Sequence, residues 1–142
     1  MNKAFKSTIN NIKQVIRMKI SPSHNLNIII QELENVISSD KIKPINKSNI
    51  LKAMHLLRAL ETTLKEYLDE KSISYSPRDG MGQIFHKYLD NSIISNLELT
   101  RYKNNLSTVR NTFMHNAGVY PSNNDVTILL SEINICLYRI LN

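Results

Sequence analysis

Apolar residues recur at spacings of three and four along most of this chain, and little interrupts them, because its 142 residues include only three glycines and four prolines. That spacing lines side chains up on one stripe of an α-helix. A sheet protein of the same length needs many tight turns, and turns draw on Gly and Pro. The expected fold is therefore all-α, a compact bundle of five to six helices in a single domain over residues 1–142. Hydrophobic residues make up 42% of the sequence, enough for one core. A chain of this size buries roughly 70% of its unfolded surface and needs no covalent or metal staple.

The periodicity predicts a first helix over Lys3–Lys19, with Phe5, Ile9, Ile12 and Ile16 as its apolar stripe. Ser21-Pro22-Ser23 breaks it. A second helix is predicted over His24–Ser38, burying Leu26, Ile29, Ile30, Leu33, Val36 and Ile37. The stretch from Asp40 to Lys47, with Pro44, reads as a loop. The longest helix is predicted over Ser48–Lys71 with Ser48 as its N-cap, and Ile50, Met54, Leu57, Leu60, Leu64, Tyr67 and Leu68 as its buried side. Ser72–Gly82 is rich in turn formers. A short helix follows over Gln83–Leu89, then a longer one over Leu97–Asn116 that Gly118 stops and Pro121 keeps from resuming. The last helix, Asn123–Leu141, is apolar over a broad face that suits a core or a subunit interface.

Glu61 stands out in the long helix. At 100° per residue it falls between Leu68 and Met54, within or beside the apolar stripe, and carboxylates are rarely buried without a partner. Two readings stay open: Glu61 pairs with Arg58 one turn back, or it faces a cationic site on another helix.

The single cysteine, Cys136, rules out an intramolecular disulfide and fits a reducing compartment. The opening stretch, MNKAFKSTINNIKQVIRMKI, alternates charged and apolar residues, so neither a signal peptide nor a membrane span is expected there and the expected location is cytoplasmic. The formal charge of +6 attracts polyanions, nucleic acid first among them, although it is spread along the chain.

The residues that carry chemistry lie at the end of the Leu97–Asn116 helix. Tyr102, Leu106, Val109 and Phe113, spaced four, three and four, are expected to form its core face. Asn111 and His115 are four apart and share a different face, and Arg110 flanks that polar surface. An Arg, an Asn and a His thus cluster away from the core where the helix breaks. Cleavage of RNA needs a base for the 2′-hydroxyl, an acid for the leaving 5′-oxygen and positive charge for the phosphorane. Histidine serves as base or acid near neutrality, arginine grips phosphate oxygens in two-point fashion, and asparagine can bond the phosphate or orient the histidine. One His115 cannot be both base and acid to one phosphate at once, so a two-fold dimer that juxtaposes two copies of the motif is expected. With six arginines and four histidines the bare Arg-x4-His spacing has roughly 0.17 chance matches, and requiring Asn after Arg lowers this to roughly 0.02. The bland counterpart is a helix C-terminus where His115 favours the dipole and Arg110 is merely solvated.

The stretch Val109-Arg110-Asn111-Thr112-Phe113-Met114-His115-Asn116, late in a small all-helical chain with one helix behind it, resembles the HEPN domains. The resemblance covers the whole chain in architecture and only these few residues in motif. It implies a bundle of four or five helices, a homodimer with both motifs at its interface, and metal-independent endoribonuclease activity without a cofactor. Such domains occur in toxin–antitoxin pairs and anti-phage defence, which implies RNA as substrate and an antitoxin or defence-system protein as partner. The resemblance assigns Arg110 to phosphate and transition-state binding, Asn111 to orientation and His115 to acid–base work. Many HEPN domains also place a polar or acidic residue from an earlier helix near the site, and Glu61 is the candidate here. HEPN toxins partnered by small nucleotidyltransferases often carry a tyrosine two residues after the histidine. That position is Ala117 here, and the nearest later tyrosine is Tyr120.

Other signals carry less. His24, His55 and His86 show no metal-ligand spacing with one another or with Cys136. Gly80-Met81-Gly82 lacks the lysine of a phosphate-binding loop and eases entry into a helix. Cys136, between Ile135 and Leu137, reads as a core residue. The alternative from another functional class is a catalytically silent helical binding module, an antitoxin or assembly subunit that kept the fold.

Overall fold

A computed structural model describes residues 1–142. Seven α-helices follow in order: α1 (Lys3–Lys19), α2 (His24–Ser38), α3 (Ile45–Glu70), α4 (Met81–Asp90), α5 (Asn96–Tyr102), α6 (Thr108–His115) and α7 (Asn123–Leu141). A 3-10 turn at Ser39–Lys41 follows α2. A π-helical turn at Lys103–Ser107 joins α5 to α6, so the last three helical pieces before α7 form one irregular rod. There is no β-strand, and the all-α expectation holds.

Side chains cap the helices where the sequence supplies them. Asn2 Oδ1 accepts from the backbone N–H of Phe5 at 2.8 Å, and Ser23 Oγ from that of Leu26 at 3.1 Å. Ser95 and Glu98 form a reciprocal capping box at α5, as do Ser122 and Asp125 at α7. The long helix departs from expectation at its start. Ser48 is not its N-cap, because Pro44 takes that place and α3 begins at Ile45, inside the stretch expected to be loop. Proline fits there because a helix start has no use for its missing N–H. Ser48 is instead fully buried, and its hydroxyl donates to the Ser39 carbonyl at 2.7 Å.

α3 is the hub of the bundle. It packs along α2 for most of its length and also meets α7, α4 and α6, while α1 lies against α2 and α7. Buried apolar side chains form one continuous cluster that draws on every helix except α6. On α7 the broad apolar face is core, with Val126, Leu129, Leu130, Ile133, Cys136, Leu137 and Ile140 all buried. Ile9, Ile12 and Ile16 of α1 are buried too, with Phe5 half-buried at the edge. Burial of roughly 25 cal/mol per Å2 of apolar surface makes this cluster the main stabilising term.

A network of ion pairs ties α2 to its neighbours. Glu32 is buried between α2 and α3, where one oxygen meets His55 Nδ1 at 2.6 Å and the other Arg58 Nη2 at 3.0 Å. Lys13 of α1 pairs with Glu34. Arg58, one of two partners open to Glu61 on the sequence, is thereby committed to Glu32.

Candidate active site

The irregular rod from α5 to α6 decides where the motif points. Tyr102 and Leu106 are buried as expected, but Val109 and Phe113 are only half-buried, and α6 has no fully buried residue. The stretch Leu97–Asn116 is thus not the one regular helix expected, and of the 102-106-109-113 face only Tyr102 and Leu106 are fully buried. The cause is the π turn. Bonding from i to i+5 advances each residue by less than the 100° of an α-helix. Five such residues unwind the rod, so Tyr102 packs on Phe85 of α4, Leu106 is buried, and Arg110 meets Glu61 of α3. The sequence signal for this turn is Asn104-Asn105 with Ser107, residues that compete poorly for α-helical bonding.

Arg110 is consequently directed at α3 and not out of the fold. Its Nη2 stands 4.0 Å from Glu61 Oε2, the outer limit of an ion pair. Its Nη1 lies 3.5 Å from Nε2 of His115. The guanidinium donates in that contact, which places the ring proton of the engaged tautomer on Nδ1. A single side chain thus bridges a carboxylate from α3 and an imidazole at the end of α6. Of the two readings left open for Glu61, the cationic group on another helix is the one observed, with both side chains partly shielded.

His115 is exposed in the last turn of α6. The helix stops directly after it because Asn116 turns extended (φ −117°, ψ 104°), and its side-chain amide donates to the carbonyls of Thr112 at 2.9 Å and Asn111 at 3.3 Å. Gly118 follows at φ +81°, a left-handed conformation costly for any residue with a Cβ. Asn111 does not join the cluster by contact. Its side chain is exposed and engages no protein partner, and only its backbone carbonyl is used.

Residues outside the motif shape the site. Asn49 of α3 is buried, and its amide donates to the Pro121 carbonyl at 3.2 Å and to Asn123 Oδ1 at 3.0 Å. It pins the loop after α6 to the hub helix. A cleft of about 410 Å3 opens beside His115 between that loop and Ile50 of α3. The sequence hides both features, because Asn49 and Ile50 lie some sixty-five residues before the motif, a separation over which helical periodicity carries no information.

The other reactive side chains lie elsewhere. Cys136 is fully buried, and burial pushes its thiol well above the ordinary range, which suits packing and not nucleophilic attack. His86 Nε2 lies 3.2 Å from Lys103 Nζ at the π turn, and His55 is held by Glu32. No three His, Cys, Asp or Glu side chains converge where one metal ion could be held. No helix is long and apolar enough to cross a membrane. The chain matches no protein-family model, no curated protein and no solved structure.

Proposed function

We propose that the chain is a metal-independent endoribonuclease of HEPN type that works as a homodimer in the cytoplasm, as a toxin or anti-phage effector. The observation that carries this reading is the Arg110 guanidinium within 3.5 Å of His115 Nε2 at an exposed helix end. It supplies a titratable base and a permanent cation that one phosphate can touch together.

When a phosphodiester enters, Arg110 turns from His115 to the non-bridging oxygens and frees Nε2. His115 takes the proton of the 2′-hydroxyl as that oxygen bonds to phosphorus. The bond from phosphorus to the 5′-oxygen breaks, and the protonated His115 of a second copy gives its proton to the leaving oxygen. The products are a 2′,3′-cyclic phosphate and a free 5′-hydroxyl, with no net change in protons. Arg110 neutralises the charge that grows on the phosphorane. Glu61 acts as a positioning residue, holding Arg110 from behind. Asn111, exposed and uncommitted, is free to bond the incoming phosphate.

Incubation of the purified protein with single-stranded RNA in EDTA tests this. Cleavage to 2′,3′-cyclic ends is expected from the wild type, with loss by about 100-fold or more in Arg110→Ala, the size of effect seen when one transition-state donor is removed. His115→Ala should be inactive yet fold normally, since an exposed side chain contributes within about 0.5 kcal/mol to stability. Full wild-type activity in both variants would sink the proposal.

One observation favours a second reading, the catalytically silent binding module. Val109, Phe113 and Ile128 line an apolar groove of about 190 Å3 between α6 and α7, and Ile128 is 53% exposed. Such a groove suits a protein partner. Absence of cleavage, with a stable complex lost on Ile128→Asp, would select this reading.

A further inference from the structure

The cleft beside His115 has walls of a distinctive kind. Ile50 and Phe113 line it from the helices, and Val119 and Tyr120 line it from the loop. Its volume of about 410 Å3 lies within the range of small-molecule sites. Tyr120 is 49% exposed, a large flat ring left half in solvent although Asn49 fixes the loop that carries it. The polar groups in the same loop are poised rather than spent. The backbone N–H groups of Ala117, Gly118 and Tyr120 have no protein acceptor, since only that of Val119 is used, by the Asn116 carbonyl at 3.3 Å. The Asn116 amide nitrogen is committed to α6, which leaves its Oδ1 as an acceptor.

We infer that this cleft is a nucleobase subsite, in which Tyr120 stacks on the base next to the scissile phosphate, so the enzyme takes unpaired RNA. The inference rests on the ribonuclease reading for the identity of the neighbouring phosphate. An aliphatic occupant would leave the loop's free donors and the Asn116 acceptor unmatched. A base has a π face for Tyr120 and Phe113 and an edge carrying both donors and acceptors. Because His115 itself lines the cleft, the occupant must adjoin the bond that His115 acts on. A base in a duplex is stacked and cannot enter, whereas a base in a loop or single strand can be splayed into the cleft.

The test uses uncleavable 2′-O-methyl RNA hexamers carrying 2-aminopurine on one or the other side of the central linkage. Binding to the wild type should quench one of the two probes. Tyr120→Ala should abolish the quenching and weaken binding by about five- to 150-fold, the range for loss of one base–aromatic stack, while Tyr120→Phe should retain both. If Tyr120→Ala binds and quenches like the wild type, while the wild type cleaves the unmodified strand, the subsite is overturned and the ribonuclease reading stands. If Tyr120 quenches the probe but the wild type does not cleave, the subsite stands and the ribonuclease reading falls. A duplex probe quenched as strongly as the single strand would overturn the inference. So would conversion of a dimer to a monomer by Tyr120→Ala in sedimentation, because the cleft's occupant would then be a second copy.

Discussion

Arg110 on α6 and Glu61 on α3 face each other at 4.0 Å across an interface that no buried side chain of α6 helps to hold. At this separation the pair orients the guanidinium without clamping it, so Arg110 can leave Glu61 for a phosphate. Glu61→Gln removes the charge and keeps the shape. The expected outcome is a cleavage rate lower by about tenfold to 100-fold, from a misplaced guanidinium, with RNA bound no more weakly, because a carboxylate near the phosphate has also been removed. Single-turnover rates and binding of an uncleavable strand measure the two separately. Weaker binding with an unchanged rate would show that Glu61 does not position Arg110.

Asn49 carries the loop after α6, and its substitution tests how far the site depends on that anchor. Asn49→Ala loses the bonds to the Pro121 carbonyl and to Asn123, and it strands the carbonyl in a buried place. The cost is expected to be about 1–3 kcal/mol, seen as a lower urea midpoint with an unchanged slope. Loss of Oδ1 itself breaks no hydrogen bond, because Asn49 Oδ1 is buried without a partner in the native fold. Asn49→Asp, which keeps the size but loses the donor, should be at least as damaging.

Acid should weaken the fold in a defined window. Asp40 is held below its ordinary value of 3.8 by the hydrogen bond from the Lys52 ammonium and next by that from the amino group of Met1. Glu132 is held below 4.5 by its paired hydrogen bonds from Arg101, against the opposing effect of burial. A carboxylate whose folded pKa is depressed stabilises the fold above its unfolded pKa and loses that contribution as pH falls through the folded value. Urea midpoints should therefore be steady at and above about pH 5 and fall below about pH 4. Asp40→Asn should lower the midpoint at pH 5 and flatten the fall toward pH 3, whereas an unchanged fall would remove Asp40 as its source.

The stripes of α1, α2 and α7 were legible because their bonding is regular and their apolar spacing maps directly onto a buried face. The same rule failed in the segment from Tyr102 to Phe113. There the π turn changes the advance per residue, and a wheel drawn at 100° puts Val109 on the core and Arg110 on the flank. Arg110 and His115 could still be singled out by residue type, and they do meet at 3.5 Å, whereas the Asn111 side chain, singled out with them, touches neither. Glu61 was visible as a carboxylate on an apolar stripe, but its partner was not, because the choice between Arg58 and Arg110 turns on Glu32 claiming Arg58 from α2. Ser48 was misplaced for a related reason: a serine before an apolar run reads as a cap, and only the packing of Ser39 against α3 reveals that its hydroxyl is spent indoors.

The two-copy mechanism makes a quantitative claim about mixtures. If cleavage needs one His115 as base and another as acid on the same phosphate, a dimer of one wild-type chain and one His115→Ala chain is inactive. His115 is exposed and makes only the contact to Arg110, so the variant should assemble as the wild type does. After subunit exchange at equal concentrations, about one quarter of dimers are wild type in both chains. Activity should then fall with the square of the wild-type fraction, to about half of what the wild-type protein gave alone in the same total volume. A linear dependence, with activity unchanged by the added variant, would mean that each chain cleaves by itself. The same titration with Arg110→Ala reports whether both guanidinium groups are needed: a squared dependence places two on the phosphorane, and a linear one places the charge in a single chain.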